Sequence, residues 1–549
     1  MTPIPRWCWP VLALVLVLDV LLRAHTFSAG IRDRWGIDLD PYAGKAIEPI
    51  DCDEAVYTYA GRRILAGDVM YRDLTEPKPP GGYWLYALGV RLGGDDEWMV
   101  RLLPLPIVMV TIVLVGWIAG KLAGPSALIA ASLAYAVAST DPFLYGNGSN
   151  LEHPMNLATV TALAALLVAW SKPDGGRVAL LISGVSIGTA CLFKQVCGLH
   201  AIVFGLALLI RPGRGRARSG DLAVLAAGVI VPISLAALAL IIQGAGPAAY
   251  EDIFAYAKAM ARDLPAEPSQ PPLLVRWFTG NAAPDGVLPP PFGSTNYLVW
   301  WAWGTWPLWL GAIPPLMLMT IRGPSPRRLV VAWTLSAWVQ VLLPRLFWAH
   351  YYLLPLPGLA IAVGIGLADG LRGLGSGKAR RRSALLAAAM GLSTLATAAL
   401  LTRNYLRVEP VELTIRYKGG RQWVALRQLG RDLGRRSKGW EDPRIFVWGW
   451  QSPLFIYSGM DGVSRHFFAD NLIKTYAGRD HPLIKPRTET ILADLQKRPP
   501  EFVFAGYPPF PALRTFLDAH YVQPQPNREG LGLWVEGSKA AEFAAGVRP

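Results

Sequence analysis

Apolar runs of near-spanning length recur along the first four hundred residues, separated by short polar connections. Eleven are read, near 9–24, 99–119, 123–141, 152–170, 177–193, 196–211, 222–243, 298–320, 328–345, 351–368 and 383–402. A helix of ~20 apolar residues crosses a bilayer and satisfies its own backbone groups there. The pattern predicts a membrane all-α body of about 11 transmembrane helices, within roughly 10–13 because several runs are short. Beyond 402 the pattern changes. Trp423, Leu426, Leu429 and Leu433 form one helical stripe in 421–436, while RIFVWGW and EFVFAGY are short β-rich runs. Residues 1–402 are therefore expected as a membrane module and 403–549 as a small α/β domain.

The connections fix an orientation. SKPDGGR (171–177), RPGRGRARSGD (211–221), IRGPSPRR (321–328) and DGLRGLGSGKARRRS (369–383), with Arg6 and Lys121, hold sixteen Lys/Arg against Asp174, Asp221 and Asp369. Cationic connections collect on the cytoplasmic side. The opposite face then receives residues 25–98, a loop near 150, the stretch 244–297, the turn 344–350 and everything after 403. Residues 25–98 are net acidic, with thirteen Asp/Glu against eight Lys/Arg. The first run is read as a retained anchor, in which Asp19 and Arg23, four apart, compensate one another near the interface. The Pro-rich stretch 264–291 lacks periodicity, and the 244–297 segment is read as a mobile cover over a site.

Composition agrees. The 549 residues are 52% hydrophobic and 17% charged, with a mean hydropathy of +0.31. Soluble domains carry about 25% charged residues. The net charge of +14 follows the connecting loops and is a topology signal, not a nucleic-acid footprint. Four cysteines without CxxC spacing and seven scattered histidines give no zinc signature.

The densest polar constellation is DCDEAVYTYAGRRILAGDVMYRDLTEPKPPGGYWLY (51–86). If 53–66 is a helix, Asp53 and Tyr57 share a face, while Asp53 and Glu54 diverge. One carboxylate then faces a cavity and the other a structural partner. An acidic pair at a helix start also serves as cap and dipole partner. Glu152 and His153, just ahead of Pro154, sit at the mouth of another helix, where a carboxylate suits the dipole and His153 is a weak metal candidate. Lys194 and Gln195 interrupt an apolar run at an external turn. Arg345, His350, Tyr351 and Tyr352 open another run, where aromatic belt anchoring is the competing reading. The Trp-rich stretch 297–311 reads as an interfacial girdle.

The run DExxYxYxGxxILxGxxxYxDLxExKPPGGYWLY (53–86) resembles the first external loop of GT-C glycosyltransferases. It is most similar to the bacterial branch of glycosyltransferase family 39, which includes protein O-mannosyltransferases and the lipid A aminoarabinose transferase. The resemblance implies an integral-membrane, inverting transferase that moves a sugar from a polyprenyl-phosphate donor to a hydroxyl acceptor. The acceptor would be a glycan, lipid or protein, and the reaction would run at the external, periplasmic face of the cytoplasmic membrane. It implies Asp53 as the base. Glu54, Tyr57, Glu152 and His153 would line the acceptor and sugar. Lys78, Lys194, Arg345, His350 and Tyr352 would lie at the lipid phosphate, with snorkelling to headgroups as the alternative for Lys78. Where the aminoarabinose transferase has an acidic residue directly before KPP, this chain has Pro77, with Glu76 one position earlier. That departure weakens the case for a divalent metal, and no cofactor is assigned. A lipid-linked sugar flippase is the competing class, which would call for charges near the bilayer midplane and repeated halves.

Overall fold

The computed structural model describes residues 2–37, 46–172, 176–210, 217–256, 258–259, 304–344, 348–374, 380–418, 420–469, 472, 482–525 and 529–545. Each of the eleven apolar runs contains a helix. Among the described residues, five helices are long and apolar enough to cross a membrane: Glu97–Ala123, Glu152–Ser171, Ser219–Ile242, Ala349–Gly373 and Arg380–Leu406. Pro125–Ala138, Arg177–Cys191 and Gln195–Ile210 are apolar but shorter. Most of 244–297, expected as a cover, lies outside the described residues.

The chain divides into two compact units. The first takes the described residues within 1–48, 100–236 and 271–420. Its centre is helix Leu356–Gly373, which is apolar on all sides because its neighbours surround it. Small residues let those neighbours in. A Cβ on Gly364 would meet the Ala127 carbonyl oxygen at 2.6 Å, and one on Gly358 would meet Thr334 Oγ1 at 2.1 Å. Close backbone approach at small residues is how helices associate where lipid supplies no hydrophobic contrast.

Polar groups lock the same unit. Arg23 forms the expected local pair with Asp19 and does more. It is buried, and besides Asp19 (3.1 Å) it donates to the carbonyls of Gly146 (2.8 Å) and Ser139 (3.1 Å). Glu48 is fully buried between Lys418 (2.8 Å) and Arg101 (3.6 Å), and accepts from Asn147 Nδ2 at 2.7 Å. Burial works against its charge, but the two cations outweigh it and hold the carboxyl below its usual range.

The second unit takes the described residues within 49–99, 237–270 and 421–549. Four strands, β1 (Ile445–Trp448), β2 (Phe502–Ala505), β3 (Tyr521–Val522) and β4 (Gly532–Glu536), lie in the order β1-β2-β4-β3. β1 runs parallel to β2, with Ile445 opposite Phe502, and β4 is antiparallel to both β2 and β3. All four residues of β1 are buried, as a parallel strand requires. Helices Lys485–Lys497 and Pro511–His520 supply Ile491, Leu495, Leu513 and Leu517 to its core.

The two compact units do not meet at residue 402. Residues 403–418 belong with the helical unit, while the acidic segment 49–99 belongs with the sheet. The cause is helix Cys52–Leu65. Its Tyr59 stacks on Phe455 at 4.4 Å and accepts from the Gly462 amide at 2.7 Å. Arg62 donates to Met460 O at 2.8 Å and pairs with Asp461 at 3.1 Å.

Gly61 brings helix Gly81–Gly93 against the same helix, since a Cβ there would lie 2.7 Å from Ala87 N and 2.8 Å from Tyr86 C. The neighbour is backbone and cannot rotate away. Gly61→Ala is expected to lose about 1–3 kcal/mol, the usual cost of overpacking, read as a lower Tm of the purified protein. An unchanged Tm would mean the two helices separate freely.

Candidate active site

Helix Cys52–Leu65 begins with Asp51 as its cap. Asp51 Oδ1 accepts from the Glu54 amide at 3.0 Å, and Glu54 Oε2 accepts from the Asp51 amide at 3.1 Å. This reciprocal capping box occupies Glu54, which is fully buried. Glu54 is thus the member of the acidic pair engaged in the helix cap. Asp53 is the one left facing outward, with its side chain 29% exposed.

Lys78 comes to meet it. Its Nζ lies 3.4 Å from Asp53 Oδ1, 3.3 Å from Glu76 Oε1 and 5.0 Å from the centre of the Tyr57 ring. Glu76 is only 1% exposed. Its other oxygen accepts from the Lys78 amide at 3.0 Å and from the Tyr83 hydroxyl. Burial disfavours the ammonium, but Asp53 and Glu76 together overcome it and raise the Lys78 pKa well above 10.5. Tyr57, one turn beyond Asp53, is buried between Tyr83 (5.8 Å) and Tyr86 (5.2 Å). Burial first, then the Asp53 charge, raises its pKa well above the ordinary value. It forms a neutral wall beside the ammonium.

Glu76 is the residue whose role the sequence concealed. Pro77 disfavours helix at the residue before it, and in extended chain positions two apart share a side. Glu76 and Lys78 therefore point the same way across Pro77. The departure from the KPP pattern moves the carboxylate beneath the lysine.

The helical unit holds a second cluster. Glu152 lies in the first turn of helix Glu152–Ser171 and pairs with Lys194, the two being 1% and 14% exposed. Lys194 Nζ sits 4.2 Å from the Tyr351 ring centre, and Tyr351 meets His350 edge-on at 4.8 Å. Three separately read segments thus converge, with Tyr351 as the unassigned link. His153 is buried with Nε2 3.0 Å from the Gly146 carbonyl, a contact that fixes the loop. Tyr352 packs edge-on to Trp309 (6.2 Å) and Trp338 (6.0 Å). Arg345 lies outside the described residues. Among the described residues, no group of three or more His, Cys, Asp or Glu could hold a metal ion.

Behind the first cluster, His466 meets Thr75 Oγ1 at 2.9 Å through Nδ1. Burial, then Arg487 and Arg465, push its pKa from 6.5 down to about 3. The native state thus holds it neutral while the unfolded chain takes a proton below 6.5. Stability from this group is complete above 6.5 and is lost as pH falls toward 3. Thermal unfolding across that window should show a smaller acid loss for His466→Gln than for the unaltered protein; equal losses would remove His466 from the account.

Residues 77–239 match the sequence model of the family described as dolichyl-phosphate-mannose-protein mannosyltransferase. None of the curated proteins matches the chain. Among solved structures, ArnT from Cupriavidus metallidurans bound to undecaprenyl phosphate is similar at a TM-score of 0.55 and 16% identity, over 99% of this chain and 98% of that one. The Archaeoglobus fulgidus oligosaccharyltransferase tethered to an acceptor peptide is similar at 0.52 and 12%, over 90% and 68%. The Archaeoglobus fulgidus oligosaccharyltransferase AglB with an inhibitory peptide and a dolichol-phosphate is similar at 0.50 and 12%, over 91% and 69%. Residues 77–239 thus carry the family likeness, and the fold along most of the chain is that of ArnT and of the archaeal oligosaccharyltransferase.

Proposed function

We propose that the protein transfers a sugar from a polyprenyl-phosphate donor to a hydroxyl acceptor, with inversion, at the external face of the cytoplasmic membrane. Asp53 takes the proton of the acceptor hydroxyl. The acceptor oxygen attacks the anomeric carbon, the bond from that carbon to the phosphate oxygen breaks, and the phosphate departs with the electron pair against Lys78. A glycosyl phosphate already has a good leaving group, so the acid partner of a glycoside hydrolase is dispensable. One base and a fixed cation suffice.

The observation that carries this reading is the arrangement of Asp53 and Lys78 over Glu76. Glu76 is a buried, permanent counter-ion to Lys78, whereas Asp53 reaches the same ammonium only at 3.4 Å and stays open to solvent. An arriving phosphate can take the place of Asp53 at Lys78 without leaving the lysine unpaired, which frees the carboxylate beside the reacting carbon. Further support comes from ArnT and AglB, whose structures hold undecaprenyl phosphate and a dolichol-phosphate. The Glu152, Lys194 and Tyr351 cluster is proposed on its own terms as a second polar contact for donor or acceptor, with His350 at its border.

The test is transfer of labelled sugar from a polyprenyl-phosphate donor by the full chain in proteoliposomes, with cell-envelope glycan, lipid and protein fractions as acceptors. Transfer to one fraction supports the reading. Movement of the sugar-lipid across sealed vesicles with no transfer to any fraction would overturn it in favour of a flippase.

A further inference from the structure

Tyr71 adopts a left-handed backbone, φ 69°, with its side chain fully buried. A bulky residue in that region is strained, and such strain persists only where the surroundings over-determine it. Five hydrogen bonds do so here. The Tyr71 amide donates to Leu74 O at 2.7 Å, and its hydroxyl donates to Lys78 O at 2.8 Å. Arg465 Nη2 donates to the Tyr71 carbonyl. The Arg465 carbonyl in turn accepts from the Thr75 amide at 2.9 Å and from Thr75 Oγ1 at 3.2 Å. One residue from the sheet-bearing segment therefore grips the 71–78 loop at two points. The Tyr71 ring links that grip to the backbone of the lysine.

We propose that Arg465 is a positioning residue for Lys78. It holds Tyr71 in its strained conformation, and the Tyr71 hydroxyl then fixes the backbone from which Lys78 projects over Glu76. Residues 421–545 would thus complete the donor-phosphate contact from behind and not act solely as a separate binding domain. This rests on the reading that Lys78 contacts the phosphate. Arg465 acts on it through Tyr71, and a displacement of the order of an ångström at such a group is enough to matter.

The test uses the purified full chain in detergent and undecaprenyl phosphate as the probe, with dissociation constants read by tryptophan fluorescence. Arg465→Ala is expected to weaken binding about 10-fold, and Tyr71→Phe, which removes only the hydroxyl, about 3-fold. Arg465→Lys can still donate to the Tyr71 carbonyl and should recover most of the loss. Lys78→Gln should weaken binding about 30-fold, and adding Arg465→Ala to it should cost less than about 2-fold more, since both act on one contact. Full multiplication in the double variant, or unaltered binding by Arg465→Ala beside a weakened Lys78→Gln, overturns the inference alone. Unaltered binding by Lys78→Gln overturns the phosphate reading itself. Should Arg465→Ala fail to fold, Tyr71→Phe decides: wild-type affinity there also overturns the inference.

Discussion

Asp53→Asn is expected to lower turnover by about 10³-fold, within the 10²–10⁴ that a general base contributes, while the protein still folds. The disproportion between the two readouts is the point. Asparagine keeps the shape of the side chain and its place in the first turn, so the capping box between Asp51 and Glu54 stays closed. What is lost for stability is one charge near a helix N-terminus, about 0.3–1 kcal/mol, and a half-exposed ion pair at 3.4 Å, about 0–1 kcal/mol. Lys78 keeps Glu76 as its counter-ion. Catalysis loses the only carboxylate of the acidic pair that faces outward. The measurement is single-turnover transfer beside thermal unfolding, on the unaltered chain and on Asp53→Asn. Turnover within a few-fold of wild type would remove the base from the mechanism. A collapse of Tm matching the loss of rate would reassign Asp53 to structure.

Much of the fold was legible because membrane helices and parallel strands write themselves as local patterns. Every long apolar run became a helix, RIFVWGW and EFVFAGY became β1 and β2, and the 421–436 stripe turned Trp423, Leu426 and Leu433 inward. Aspartate at 51 followed three residues later by Glu54 has the spacing of a capping box, which takes Glu54 into the cap and leaves Asp53 outside it. What stayed hidden was long-range. Tyr59 and Arg62 bind partners some four hundred residues away, and no periodicity in 53–66 names them. The pairing of Glu152 with Lys194 joins the start of one helix to the turn after the next, which requires knowing how the two helices lie. His153, Tyr57 and Tyr352 show the same limit from the other side. Each has the chemistry of a ligand contact, and the structure adds that each is buried, which depends on packing that residue type does not encode.

Lys78→Gln is the complementary variant, expected to lower kcat/KM about 10²-fold, in the 2–5 kcal/mol range for truncating one partner of a buried, hydrogen-bonded charge pair. Its loss should exceed the loss in ground-state phosphate affinity, because negative charge on the departing oxygen grows toward the transition state and a fixed cation is worth most there. Stability should fall further than in Asp53→Asn, since Glu76 is buried and would keep only the Tyr83 hydroxyl, the amide of residue 78 and a neutral neighbour. Pairing the change with Glu76→Gln separates the effects: the double variant should regain stability without regaining activity. The pH profile gives a further check. With its pKa raised well above 10.5, Lys78 is fully charged below that value and loses its proton only above it. No alkaline decline in kcat/KM below pH 10.5 should therefore belong to Lys78, and any decline in that range should persist in Lys78→Gln. A decline that vanished in the variant would mean that Glu76 and Asp53 do not hold the ammonium as the geometry requires.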